Sequence, residues 1–272
     1  MPISLALGLA ALASYGLALL SLWRRLPALR LGETPGKSAA LALALLASAL
    51  HLGALGLCAC ATGAMDFGVL KALSMSGVAT VLIVLASSVR QPLENLLLPV
   101  IPLATFSLIA QLAWPDAPQS LIAHSLALDV HILLSILAYS LFTLAALQAL
   151  LLASQHRALH MRRPSAFARV LPPLEDMETL LFRIIGAGFV LLTLALVTGF
   201  MYLDDIFAQH LVHKTVLSMI SWAVFGALLI GRYSVGWRGQ TAVNWTLSGY
   251  AVLLLAFIGS KIVLEWVLGV QR

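Results

Sequence analysis

The sequence predicts an all-α polytopic membrane bundle of about eight transmembrane helices, one domain over residues 1–272. Three features predict it. Of the 272 residues, 61% are hydrophobic and only 10% are charged, against about 25% charged in a soluble domain. Apolar runs such as 3–23 and 39–61 hold about twenty residues without a formal charge, the length that crosses a hydrocarbon core of about 30 Å. Short connectors with turn chemistry separate the runs. The net charge of +5 therefore reflects topology and gives no ground for a nucleic-acid partner. The first partner is the lipid bilayer.

The first span, 3–23, has no basic region before it, is too long for a signal peptide, and is followed by Arg24 and Arg25. It reads as a retained anchor with its N-terminus outside. Spans two to four cover 39–62, 68–89 and 95–114. The stretches "GETPGK", "TGAMDFG", "RQPLEN" and "WPDAP" punctuate them. Span five, 125–153, leads into the one long connector, 154–179, where "RRPSAF" and "LPPLEDMET" break the helical pattern with proline. Spans six to eight cover 180–203, 213–231 and 244–267. No soluble domain and no internal repeat stands out.

Basic residues set the expected orientation. Arg24, Arg25, Arg30, Lys37, Arg90, Arg157, Arg162, Arg163, Arg169, Arg183, Arg232 and Arg238 fall in or beside the odd connectors. Only Lys71, Lys214, Lys261 and Arg272 fall on the other side. By the positive-inside rule the odd connectors are cytoplasmic. Both termini are then on the outer, periplasmic side, as an even number of spans requires.

This frame gives each histidine a depth. His131 and His213 both lie roughly 27–33 Å from the cytoplasmic boundary, at the outer edge of the hydrocarbon. His124 precedes His131 by two turns, and His210 precedes His213 by about one. His51 lies deeper, in span two, while His156 and His160 are cytoplasmic. Imidazole is the usual axial ligand of heme iron. Two histidines at one depth on separate helices can hold a planar macrocycle between them. Leu133, Leu134, Ile136, Val216, Leu217 and Ile220 can cover its faces, and Lys214, Lys261, Lys71 or Arg272 can answer its propionates. The plain alternatives stay open: interfacial histidines at headgroup level, and a His51 that hydrogen-bonds a neighbouring helix or serves as ligand or relay.

Three stretches carry a resemblance. "HILLSILAYSLFTLAALQALLL" (131–152) resembles the His-x-x-x-x-x-x-Ala/Ser-Tyr helix of the CcsA-type heme-handling proteins of cytochrome c assembly. "LPPLEDMETLLFRIIGAGFVLLTLALVTG" (171–199) is similar to the segment leading into that family's heme-presenting loop. "HKTVLSMISWAVFGALLIGRYSVGWRGQTAVNWTLSGYAVLLLAFIGSKIVLE" (213–265) looks like its C-terminal pair of spans. The resemblance covers roughly 40–267 and is closest to the HemX/YpjD-like inner-membrane branch. It implies a heme b cofactor, a bacterial inner membrane, His131 and a looser match at His213 as outward-facing iron ligands, and His51 as the candidate for a ligand within the membrane. It also implies a heme-pathway or other inner-membrane protein partner. One departure is plain: between Phe200 and Ser221 there is no tryptophan, so the Trp-rich loop that presents heme to an apocytochrome is missing.

Other features read more simply. Cys58 and Cys60 point to different helix faces and suit small apolar packing. His156 and His160 sit among Arg157, Arg162 and Arg163, which disfavour a metal cation and suit anionic lipid. Lys261 and Glu265 can pair as helix support. Asp204 and Asp205 read as solvated loop acids. No catalytic arrangement is found, so the chain is expected not to be an enzyme. The expected assignment is bis-histidine heme binding by His131 and His213. Around that pair, Lys214 answers a propionate, His210 stands behind the ligands and His51 is an inner ligand or support. The rivals are a membrane subunit that stabilises a partner without heme, and a transporter of a small solute or metal ion.

Overall fold

In hydrocarbon a backbone N–H or C=O has no water to bond, so a crossing segment closes its own hydrogen bonds as a helix. The structure, a computed structural model, describes residues 2–30, 36–62, 68–89, 93–114, 126–160, 172–202 and 209–262. Eight α-helices account for almost all of these: α1 (Pro2–Arg30), α2 (Ser38–Thr62), α3 (Val69–Ser87), α4 (Leu97–Ala113), α5 (Leu126–His160), α6 (Leu174–Tyr202), α7 (Gln209–Ser234) and α8 (Gln240–Ile262). A single 3₁₀ turn, Glu94–Leu96, leads into α4, and there is no strand among the described residues. The helices α1 to α7 are each long and apolar enough to cross a membrane. The eighth, of 23 residues, has the length to span as well.

The expected all-α membrane fold is therefore present, with differences at helix ends. Arg24, Arg25 and Arg30, expected in the first connector, lie inside α1, and α5 continues through Arg157 to His160. Hydropathy marks where hydrocarbon ends. The helix runs on past the apolar run, with Arg24 exposed and Arg25 buried beside Glu94. Pro172 and Pro173 stand just before α6 rather than inside it, so α6 begins at Leu174.

The chain forms two compact units, one of Met1–Ile122 with Arg157–Pro172, the other of Ala123–His156 with Pro173–Arg272. In the first unit, α1 packs on α2 and α4, and α3 on α2 and α4, which closes a four-helix ring. Its ends are tied by charge: Lys37 Nζ lies 3.4 Å from Glu94 Oε2 and donates to the Ser88 carbonyl at 3.4 Å, while Arg25 Nη2 lies 3.9 Å from Glu94 Oε1. The first and third connectors thus share one end of that unit. Where α3 meets α4, a Cβ on Gly77 would lie 2.6 Å from Ser107 Oγ and 3.2 Å from the Ala104 backbone. Only glycine permits that approach, as close helix contacts in membranes demand.

In the second unit α7 packs on α6 and α8, and α5 joins through side chains. Phe142 of α5 stacks on Phe225 of α7 with ring centroids 3.9 Å apart. Tyr139 Oη donates to the Leu253 carbonyl at 3.0 Å, and Thr143 and Tyr250 share a hydroxyl–hydroxyl bond of 2.9 Å, both joining α5 to α8. The α7–α8 turn relies on Gly236 and Gly239, at φ of 76° and 59°, a region that disfavours side chains. Glu178 Oε1 accepts the Gly239 N–H at 2.8 Å and Gln148 donates to the Met177 carbonyl, so the start of α6 and the α7–α8 turn share one end of this unit.

The aromatic stack generates a test. A Cβ on Gly249 would lie 2.9 Å from the buried Phe225 ring, whereas one on Gly186 meets nothing within 4 Å. Gly249→Ala should cost about 1–3 kcal/mol through overpacking, while Gly186→Ala should stabilise by about 0.5–1 kcal/mol through helix propensity. Thermal unfolding in a mild detergent, read by helical circular dichroism, measures both; equal melting of the two variants would contradict this packing.

Candidate functional site

His51 is fully buried in the first unit, at 0% exposure. Its Nε2 lies 2.7 Å from Ser74 Oγ of α3, and its Nδ1 lies 3.4 Å from Tyr15 Oη of α1. The Tyr15 ring meets the imidazole edge-on, with centroids 6.0 Å apart at 86°. Tyr15 and Ser74 are themselves at 0% exposure. Three helices therefore converge on one ring, and both of its nitrogens are engaged. An iron ligand here would first have to give up the Ser74 or the Tyr15 bond.

His131 is built differently. It lies in the second turn of α5, half-buried, and its Nδ1 faces α6, 2.9 Å from the Ala195 carbonyl oxygen and 3.2 Å from Thr198 Oγ1. A carbonyl only accepts, so Nδ1 carries the proton. In the neutral ring Nε2 then bears the lone pair, and among the described residues it has no hydrogen-bond partner. This is the state in which imidazole ligates a metal: one nitrogen held by a carbonyl, the other bare.

His210 and His213 both lie in the first two turns of α7, which begins at Gln209. The expected span began at 213; the helix begins four residues earlier and takes in His210. Their side chains fall outside the described residues, as do the positions of His124, Asp204, Asp205, Glu265 and Arg272, and the side chains of Cys58, Cys60 and Lys261. Lys214 follows His213 on α7 and is exposed. Because α5, α6 and α7 alternate in direction, the start of α5, the end of α6 and the start of α7 share one end of the second unit. His131, Thr198, His213 and Lys214 belong to that end. Of the expected covering residues, Leu133, Val216 and Ile220 are exposed and Leu134, Ile136 and Leu217 half-buried, while Lys71 belongs to the first unit. Among the described residues no group of three or more His, Cys, Asp or Glu gathers; a bis-histidine centre needs two.

The Cytochrome C assembly protein family model matches residues 39–268. The chain belongs to that family. The match takes in α2 to α8 and leaves out α1. The Inner membrane protein YpjD of Escherichia coli (strain K12) is 38% identical over 189 residues, 68% of this chain and 70% of that protein. Protein HemX of Brevibacillus brevis is 25% identical over 157 residues, 56% of this chain and 58% of that one. The Cytochrome c biogenesis protein CcsA of Prochlorococcus marinus (strain MIT 9515) is 36% identical over 87 residues, 31% of this chain and 28% of that protein. No solved structure matches. The resemblance read from the three sequence stretches is thereby established, at family level and over the span expected.

Sequence reasoning missed Tyr15, Ser74, Ala195 and Thr198. Ser74 and Thr198 are small hydroxyl residues of a type that usually bonds its own helix, so neither stands out. A carbonyl such as that of Ala195 leaves no mark in sequence at all. Tyr15 had a signal, being a lone phenol in the middle of an apolar span.

The His51 cluster is testable by itself. Ser74→Ala leaves His51 Nε2 buried without a partner and should cost about 1–3 kcal/mol. Chemical or thermal unfolding in detergent reads this directly, and an unchanged midpoint would mean the 2.7 Å contact contributes nothing to stability.

Proposed function

We propose that this chain binds heme b at one end of its second helix unit, with His131 and His213 as axial ligands, in a bacterial inner membrane. The observation that carries the proposal is the His131 ring: Nδ1–H is given to the Ala195 carbonyl at 2.9 Å, and Nε2 is left bare. That donor chemistry fits heme iron. His213, in the facing start of α7, supplies the second imidazole. Lys214, exposed beside it, pairs with a propionate. His210, a turn earlier on the same helix, bonds a propionate or orients an iron-bound ring. Leu133, Val216 and Ile220 exclude water. When bound, the group supplies an iron centre that exchanges one electron.

The role is heme handling without catalysis, in support of a membrane partner in a heme or cytochrome pathway. The names of YpjD and CcsA, an inner membrane protein and a cytochrome c biogenesis protein, support the setting. The stretch between Phe200 and Ser221 holds no tryptophan, so attachment of heme to an apocytochrome is not part of the proposal. For His51, two engaged nitrogens favour a supporting role over ligation.

Purified in mild detergent, the protein should show a Soret band with sharp α and β bands on reduction. His131→Ala and His213→Ala should each abolish the low-spin spectrum, while His210→Ala should only weaken retention. A spectrum that survives both, yet disappears in His51→Ala, would move the site into the first unit.

The orientation follows the basic residues: odd connectors cytoplasmic, both termini outside. Reporter fusions after Arg30 and after Arg163 should report cytoplasm, and fusions after Asp116 and after Arg272 the outer side. The reverse pattern would put His131 and His213 on the cytoplasmic face.

A further inference from the structure

We infer that the α7–α8 turn and the first three turns of α6 form a binding site for the phosphate of an anionic phospholipid, with Arg232 at its centre and Arg183 and Arg238 beside it. The inference does not depend on heme, nor on which face of the membrane this end meets.

The site is built around a guanidinium held in place. Arg232 Cζ lies 4.7 Å over the Phe182 ring of α6, and its Nη1 donates to the Trp237 carbonyl at 3.3 Å. Trp237 is itself fixed. Its N–H donates to the Gly231 carbonyl at 3.1 Å, a Cβ on Gly231 would run into its ring, and that ring meets Trp245 with centroids 4.9 Å apart. A guanidinium has five N–H donors, and one is spent on Trp237. Among the described residues none of Arg183, Arg232 and Arg238 forms an ion pair. Glu178, the acid that faces this turn, gives its Oε1 to the Gly239 N–H. The first unit is the contrast, since Arg25 and Lys37 both face Glu94 there. A guanidinium that protein acids leave unanswered at the edge of hydrocarbon is completed by an anion from outside. Phosphate oxygens suit it, because two of them accept parallel bonds from one guanidinium.

Two further observations make that anion a lipid. Arg183 directly follows Phe182 and is exposed, and Val190, Leu194 and Val197 are exposed on the same face of α6. Arg183 thus heads a lipid-facing stripe, at the level where hydrocarbon gives way to headgroups and its side chain reaches the polar layer. On the turn, Tyr233 is 88% and Val235 72% exposed. A phenol and an isopropyl group held outward beside arginines suit the interfacial layer of a bilayer, where aromatic rings gather.

The full chain, stripped of lipid by detergent exchange, is titrated with phosphatidylglycerol and separately with phosphatidylcholine, and bound lipid is counted by native mass spectrometry. Wild type should bind phosphatidylglycerol at one site more tightly than phosphatidylcholine. Arg232→Gln should weaken that site about tenfold, the loss of one charge-assisted hydrogen bond. Phe182→Leu leaves every charge in place and should also weaken it. Arg24→Gln, which removes an exposed arginine of the first unit, should leave it unchanged. Circular dichroism checks that each variant is folded; should Arg232→Gln not fold, the double variant Arg183→Gln, Arg238→Gln is read in its place and should weaken the site. Full affinity in Arg232→Gln would overturn the inference. So would equal weakening by Arg24→Gln, which would mean a diffuse attraction. Displacement of the lipid by an equal concentration of inorganic phosphate would assign the site to a soluble anion and overturn the lipid reading.

Discussion

Hydrocarbon offers no hydrogen bond, and this chain is arranged around that lack. Backbone groups close into eight helices because nothing outside can satisfy them. Many hydroxyls follow suit: Ser14, Ser48, Thr80 and Thr246 each donate to the carbonyl four residues before them. Such bonds neutralise a polar group but join nothing. The bonds that remain run between helices, and they carry the architecture. In the second unit Tyr139 reaches the Leu253 carbonyl, Ser221 the Gly249 carbonyl, and Trp222 the Thr193 hydroxyl. In the first, one imidazole draws Tyr15 and Ser74 together.

The same constraint separates the two histidines. A fully buried ring such as His51 is stable when both nitrogens are answered, and both are. His131 sits near a helix start, half-buried, with one nitrogen answered and one bare among the described residues. Completeness suits a strut between helices, and incompleteness suits a ligand. Residue type and depth do not distinguish these cases, since either ring is an imidazole on an apolar helix. The partners do.

Packing completes what hydrogen bonds begin. Lipid is as apolar as leucine, so burial gives helices little reason to associate. Shape must supply it. The Phe142–Phe225 stack and the close approaches at Gly77 and Gly249 let rings and backbones come near enough for dispersion to matter. The stack also holds α5 against α7, the two helices whose starts bear His131 and His213.

The eight helices, their order and the family were legible in the sequence, because the length of an apolar run and the turn chemistry between runs are local properties. His131 and His213, the residues of the proposed site, stand out in the sequence as well, since histidine is conspicuous in an apolar helix. The helix ends were read less well: α1 runs past Arg24 and Arg25, and α7 takes in His210, because a helix continues beyond the hydrocarbon that hydropathy detects. What only the tertiary structure decided is which atoms meet. The protonation of His131 Nδ1 depends on a carbonyl 64 residues away in the chain, and the engagement of His51 on a serine 23 residues on and a tyrosine 36 residues back. A backbone carbonyl has no letter in the sequence, and the partner of a side chain is set by how helices pack, not by the helix that bears it.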